Sequence, residues 1–145
     1  MKSRLERVVR IRRLLEELAH ADLGRQIAEA RSLEQSAAAH REGSGAARAD
    51  AWKLLETGAT RSWLLGMADA DLLAWKGGQL EALAVGRQPD IEAARQELLS
   101  RRIERRQLEI LDEAAAQAEA RERIRREQKA ADDWYQSRAA HGKER

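Results

Sequence analysis

The chain has no cysteine and no phenylalanine, a single proline and a single tyrosine. Without cysteine, a disulfide framework and a thiolate metal site are both excluded, and the composition is compatible with a reducing cytosol. Aromatic residues make up only 3% of the chain, and the hydrophobic fraction of 43% is inflated by alanine, which buries little area. Large side chains for a compact core are therefore scarce. Long apolar runs are missing too. The amino terminus, MKSRLERVVRIRRLLEEL, is basic but interrupted throughout, and reads as neither a signal peptide nor a membrane span. Net charge is only +2, so no strong overall field favours nucleic acid.

What the chain has in abundance is charge of both signs, 36% of its 145 residues. Together with the wealth of Ala, Glu, Leu and Arg, this points to one domain of long helices or coiled coil. Ser3 followed by Glu6 fits a capping box at a helix start. Val8, Ile11, Leu15 and Leu18 then step by three, four and three, the spacing of a coiled-coil seam, with Leu5, Val9 and Leu14 widening it. Asp22 breaks the strict pattern, and the stripe resumes one residue later with Leu23, Ile27, Ala30, Leu33 and Ala37, a discontinuity in the heptads. At the far end, Ile103, Gln107, Ile110, Ala114, Gln117, Arg121, Ile124, Gln128, Ala131 and Tyr135 keep a four-three alternation. This second seam is poor in apolar residues, and pairs such as Glu119–Arg123 and Glu122–Arg126 are expected to support the helix locally.

The middle is different. Seven of the nine glycines lie from Gly43 to Gly86, as do Trp52, Trp63 and Trp75. Gly43-Ser44-Gly45 is a weak spot in the first helix, Gly58 a helix stop, and Pro89 a start or kink. The expectation is an all-α, long antiparallel two-helix coiled-coil hairpin. Its arms cover 3–57 and 90–140, its irregular Gly/Trp-containing tip about 58–89 with a reversal centred near Ala70, and its flexible tail 141–145.

A search for chemistry returns nothing catalytic. GSG at 43–45 lacks the lysine and spacing of a phosphate loop, and Gly66, Gly77, Gly78 and Gly86 make no dinucleotide fingerprint. His20 and His40 on one helix would sit roughly 30 Å apart, too far to share a metal. Carboxylates are plentiful but fall on solvated helical faces without a pocket to raise a pKa. The expectation is no enzyme, no metal and no cofactor. Two surfaces remain. Lys2, Arg4, Arg7, Arg10, Arg12 and Arg13 stand against the lone Glu6 in the first thirteen residues. Such a patch is a solvated coiled-coil flank or a docking site for an acidic protein surface, with anionic lipid or nucleic acid as weaker alternatives because no recognition module accompanies the charge. In the middle, Trp63, Leu64, Leu65, Leu72, Leu73 and Trp75 either cap the end of the seam or form an exposed apolar docking patch.

A basic amphipathic start, LERVVRIRRLLEELAHADL, thus leads into helical arms that close with ERRQLEILDEAAAQAEARERIRREQKAADDW. This resembles the FliJ family, the small coiled-coil stalk proteins of the flagellar type III export apparatus. The closest correspondence is Glu127-Gln128-Lys129, then Asp132-Asp133, then Trp134. Gly43-Ser44-Gly45, Gly77-Gly78 and Pro89 depart from the family pattern. The resemblance implies a non-enzymatic coupling protein that binds and stimulates a hexameric export ATPase and links it to the cytoplasmic domain of the export gate and to export chaperones. It would be cytoplasmic, peripheral to the inner membrane through the apparatus. Arg7, Arg10, Arg13, Arg123, Arg126 and Lys129 would then contact the ATPase ring, the middle patch would dock the gate or a chaperone, and Trp134-Tyr135 would pack on the Val8-Val9 region or touch the ring. The alternatives are the stalk protein of a virulence-type injectisome, of the same architecture, or a structural coiled-coil scaffold or peripheral-stalk protein.

Overall fold

The computed structural model describes residues 4–143; Ser3 of the expected capping box and the last two residues of the expected tail lie outside them. Nearly all of the described chain is helix: α1 is Arg4–Glu56, α2 is Thr60–Gly86 and α3 is Gln88–Lys143. The residues fall into two compact units, Glu16–Ser100 and Met1–Leu15 with Arg101–Arg145.

In the unit Glu16–Ser100, α1 reverses into α2 through the three residues 57–59. Gly58 has φ +80°, and Ala59 N–H donates to Leu54 O while Gly58 N–H donates to Leu55 O, at 3.1 and 3.0 Å. This paired bonding is the Schellman arrangement, which satisfies the last carbonyls of a helix and needs a left-handed residue that glycine supplies without strain. The Thr57 hydroxyl adds a bond to Leu54 O at 2.8 Å. Ala70, the expected centre of the reversal, lies instead inside α2, and the expected irregular tip 58–89 is helical from Thr60 to Gly86. Glycine weakens a helix interior by about 1 kcal/mol relative to alanine, a cost that packing overrides here.

The packing is between small residues. Ala30, Ala37, Ser44 and Ala51 on α1 recur every seven residues and are all buried; so are Ala70, Gly77 and Ala84 on α2. A Cβ placed on Gly66 would come within 2.9 Å of Ala51 Cβ, and one on Gly77 within 3.2 Å of Ala37 O. The Ser44 hydroxyl donates to Ala70 O at 2.7 Å across the interface. Backbones this close exclude large side chains from the contact, and among the described residues no large side chain is fully buried. Arg41–Glu81, Arg48–Asp71 and Glu29–Arg87 bridge the helices antiparallel along the rims of this seam, at 3.2, 2.9 and 3.2 Å.

Between α2 and α3 a single residue, Arg87, interrupts the helix without turning it, with φ −78° and ψ −17°. Pro89 sits in the first turn of α3, where its missing amide leaves no helical bond unmade. The seven-residue spacing carries on undisturbed from Ala84 to Ile91 and Leu98, all three buried.

In the other unit, the first residues of α1 lie against α3 from Arg101 onward. The surfaces that meet are polar. Arg12 Nη1 reaches Glu104 Oε2 at 2.7 Å, and Arg13 Nη2 reaches Glu109 Oε1 at 2.9 Å. Val9 is the one hydrophobic side chain of this unit that is buried among the described residues. The seam expected from Val8, Ile11, Leu15 and Leu18 does not face α3: Val8, Ile11 and Leu18 are exposed, and only Leu15 is half-buried. Within this unit the sheltered positions of α1 are Leu5, Val9, Arg12 and Leu15; in the unit Glu16–Ser100 the expected stripe Leu23, Ile27, Ala30, Leu33 and Ala37 is buried or half-buried at every position. The expected α3 seam is likewise turned outward, with Ile103, Ile110, Ile124 and Tyr135 all at least half exposed. The sheltered positions are Arg101, Glu104, Arg105, Leu108, Glu109 and Asp112.

Candidate functional site

Two surfaces of this chain hold the sequence-predicted residues, one in each unit. The first is the arm surface formed by the start of α1 and the second half of α3. Arg7 and Arg10 are exposed and make no ion pair among the described residues. Arg13 differs: its guanidinium grips Glu109 through Nη2 at 2.9 Å and Nε at 3.3 Å. Arg105 and Arg106 converge on the other oxygen of the same carboxylate, at 2.9 and 3.5 Å. These hydrogen bonds, that of Arg13 foremost, hold the Glu109 pKa down from 4.5 to about 2. Arg13 is thus a structural clamp between α1 and α3, and the free basic surface of α1 is Arg7 and Arg10.

Along α3, the groove against the start of α1 ends with Ala115, Ala116 and Glu119, beside Arg4, Leu5 and Glu6. Every residue from 121 to 143 is exposed. At about 1.5 Å per residue this leaves roughly 35 Å of helix on which nothing in its unit packs. Arg123 and Lys129 lie there without an ion pair among the described residues, while Arg126 pairs with Glu122 at 3.2 Å. The expected Glu119–Arg123 pair is not among the bridges formed; Glu119 instead lines the groove beside Arg4 and Leu5. Trp134 and Tyr135 meet edge to face with centroids 5.0 Å apart, and the Arg138 guanidinium stands 5.1 Å over the Trp134 ring. Both rings are more than half exposed, so they do not pack on the Val8-Val9 region, whose groove is lined by Glu109, Asp112 and Glu113. The arm is a solvated helix with a cationic belt and an aromatic cluster near its end.

The second surface is α2. Its six predicted docking residues divide between two faces. Trp63 and Leu73 turn toward α1: Trp63 stacks on Trp52 at 5.6 Å with its Nε1 buried and unbonded, and Leu73 lies against Gly43. Leu64, Leu65, Leu72 and Trp75 point outward at 49–65% exposure. Half-burial of Trp63 and Leu73 follows from spacing, since both fall in the heptad frame of Ala70 and Gly77. Sequence reasoning missed that frame. Its signal was a seven-residue recurrence of small residues, which a search for large apolar side chains passes over.

Among the described residues no group of three or more His, Cys, Asp or Glu side chains converges as a metal site would require. His40 is taken up locally, its Nδ1 2.7 Å from Ser36 O. Among the same residues no helix is long and apolar enough to cross a membrane. Comparison with protein-family models, with curated proteins and with solved structures finds no match to this chain.

Proposed function

We propose that this chain is a non-enzymatic helical coupling protein, the stalk component of a type III protein export apparatus, which binds and stimulates a hexameric export ATPase at the cytoplasmic side of the membrane. One observation carries the reading. The stretch 121–143 of α3 is exposed on every side, is charged with both signs, and bears Arg123, Arg126 and Lys129. A helix meant to sit inside a ring of subunits in different states needs a polar outside, because a broad apolar face would hold it in one position. Arg7 and Arg10 extend the same cationic character onto α1. A flagellar apparatus is the first choice, on the sequence resemblance at Glu127-Gln128-Lys129, Asp132-Asp133 and Trp134; an injectisome stalk has the same architecture. Contacts with the export gate and chaperones belong to the same reading.

Titration of the protein into the export ATPase encoded in the same genome tests this. Hydrolysis and ring assembly should rise to saturation. Both remaining unchanged at saturating protein would remove the stalk reading and leave a structural coiled-coil scaffold, which the outward large apolar residues of α2 would then serve.

A further inference from the structure

The outward face of α2 carries a second regular stripe. Leu65, Ala68, Leu72, Trp75, Gln79 and Ala82 alternate by three and four residues and are all exposed. This is coiled-coil spacing on the side of the helix that α1 does not cover. Leu65, Leu72 and Trp75 are 65%, 49% and 62% exposed, while the residues of α2 that are buried are Ala70, Gly77 and Ala84. Within α2, then, the small side chains are buried and large ones on the opposite face stand in water, although Ile91 and Leu98 of α3 are buried in the same unit.

The charges beside the stripe say what covers it. Asp69 and Lys76 lie one heptad apart on its flank, both exposed, and neither has an ion-pair partner among the described residues. Of the other charges of α2, Asp71 is engaged by Arg48 and Glu81 by Arg41, while Arg61, in the first turn and away from the stripe's middle, also has no ion pair among the described residues. A flank with one acid and one base a heptad apart is self-complementary when two copies run antiparallel. We propose that the outer face of α2 pairs antiparallel with the same face of a second copy, centred between Leu73 and Ala74. In that register Asp69 and the partner's Lys76 flank the stripe offset by two residues, about 3 Å along the axis, a distance the long lysine side chain spans, and the two-fold axis repeats the pair as Lys76 with the partner's Asp69. The same register sets Leu72 against the partner's Trp75, and Trp75 against the partner's Leu72, at the middle of the interface. Leu65 meets the partner's Ala82 and Ala68 the partner's Gln79, large against small along the stripe. Shifting the register by a heptad loses either the ion pairs or the central Leu–Trp contacts.

This proposal is independent of the export reading, since it concerns assembly and not ATPase stimulation. Light scattering and sedimentation equilibrium on the full chain read it directly. The wild-type mass should rise with concentration from 16.4 kDa to twice that value. Trp75→Ala should hold the protein at the lower mass with helicity unchanged, because Trp75 lies outside the α1–α2 seam. Asp69→Lys or Lys76→Asp alone should weaken assembly roughly tenfold, as both symmetric pairs become repulsive. Mixing the two single variants should restore it, because a heterodimer then sets the two lysines of one chain against the two aspartates of the other, one of each in each pair. A wild type that stays at the lower mass overturns the proposal and leaves the face to a different protein, such as an export chaperone. Dimers indifferent to Trp75 and to both reversals, or no recovery on mixing, overturn it equally.

Discussion

At the scale of single residues, the closeness of α1 and α2 makes a sharp distinction among glycines that sequence treats alike. Gly45 and Gly78 are helical with open space where a Cβ would go, whereas Gly66 meets Ala51 Cβ at 2.9 Å. Gly78→Ala and Gly45→Ala should therefore raise stability by up to about 1 kcal/mol through helix propensity. Gly66→Ala should lose that gain and lower the melting temperature, since the helices must separate to admit the methyl group. Thermal unfolding of the three variants followed by circular dichroism checks this; a Gly66→Ala protein as stable as Gly78→Ala would show the seam to be looser than drawn. Ser44→Ala should cost only about 0.5–1.5 kcal/mol, the value of a typical net hydrogen bond. Ser44→Leu should separate the helices and abolish the cooperative transition.

Glu109 makes a prediction in pH. Its carboxyl is lowered to about 2 by Arg13 and Arg105, so the charged form is favoured when α1 and α3 are paired. The stabilisation is fully present above the ordinary value of 4.5 and is lost as pH falls toward 2. Because Arg13 is 61% accessible, salt should weaken the effect. Protection of the amides of Val9 to Arg13, taken relative to the intrinsic exchange rate at each pH, should fall across that window in wild type and be low throughout in Glu109→Gln. A wild-type protection factor that stays constant over this range would show that the clamp does not hold the arms.

At the scale of elements, α1 and α3 divide labour between pairing and display. Arg7→Glu with Arg10→Glu should reduce ATPase binding in a salt-dependent way and leave helicity unchanged, as rim charges chiefly affect association rate. Arg13→Glu places a carboxylate beside Glu109 and should loosen the paired start of α1 as well. Binding insensitive to the first pair of reversals would assign the contact elsewhere.

Two of the three helices were legible in the sequence, with Gly58 as a stop and Pro89 as a start or kink; α2 was not, because its glycines read as an irregular tip. The inward face was legible at Leu23, Ile27, Ala30, Leu33 and Ala37, all buried or half-buried, but not at the ends of the chain. The apolar stripes at Val8/Ile11/Leu18 and Ile103/Ile110/Ile124 are real in spacing, yet they face outward. The inward frame through Ala30, Ala37, Ser44 and Ala51 has little hydrophobic contrast, because close backbone approach selects for size and not for grease. Gly43-Ser44-Gly45 reads as a break for the same reason, although Ser44 is part of the contact. Of the six residues expected together on one patch, Leu64, Leu65, Leu72 and Trp75 are outward, while Trp63 and Leu73 answer to the α1 seam.

At the scale of the molecule, the unit Glu16–Ser100 buries mostly alanine and glycine with Ile91 and Leu98, the other unit shelters mostly ion-paired residues with Val9, and both expose large apolar or cationic side chains. The central claim is that the exposed end of α3 engages the ATPase, and the most direct measurement compares the full chain with Arg123→Glu/Arg126→Glu/Lys129→Glu in stimulating that enzyme. All three residues are exposed and outside every helix–helix contact, so the variant should retain full helicity. Stimulation should be saturable for the wild type and reduced at least roughly tenfold in apparent affinity for the variant, about 1.4 kcal/mol or more. Equal stimulation by the two proteins, at any salt concentration, would contradict the account.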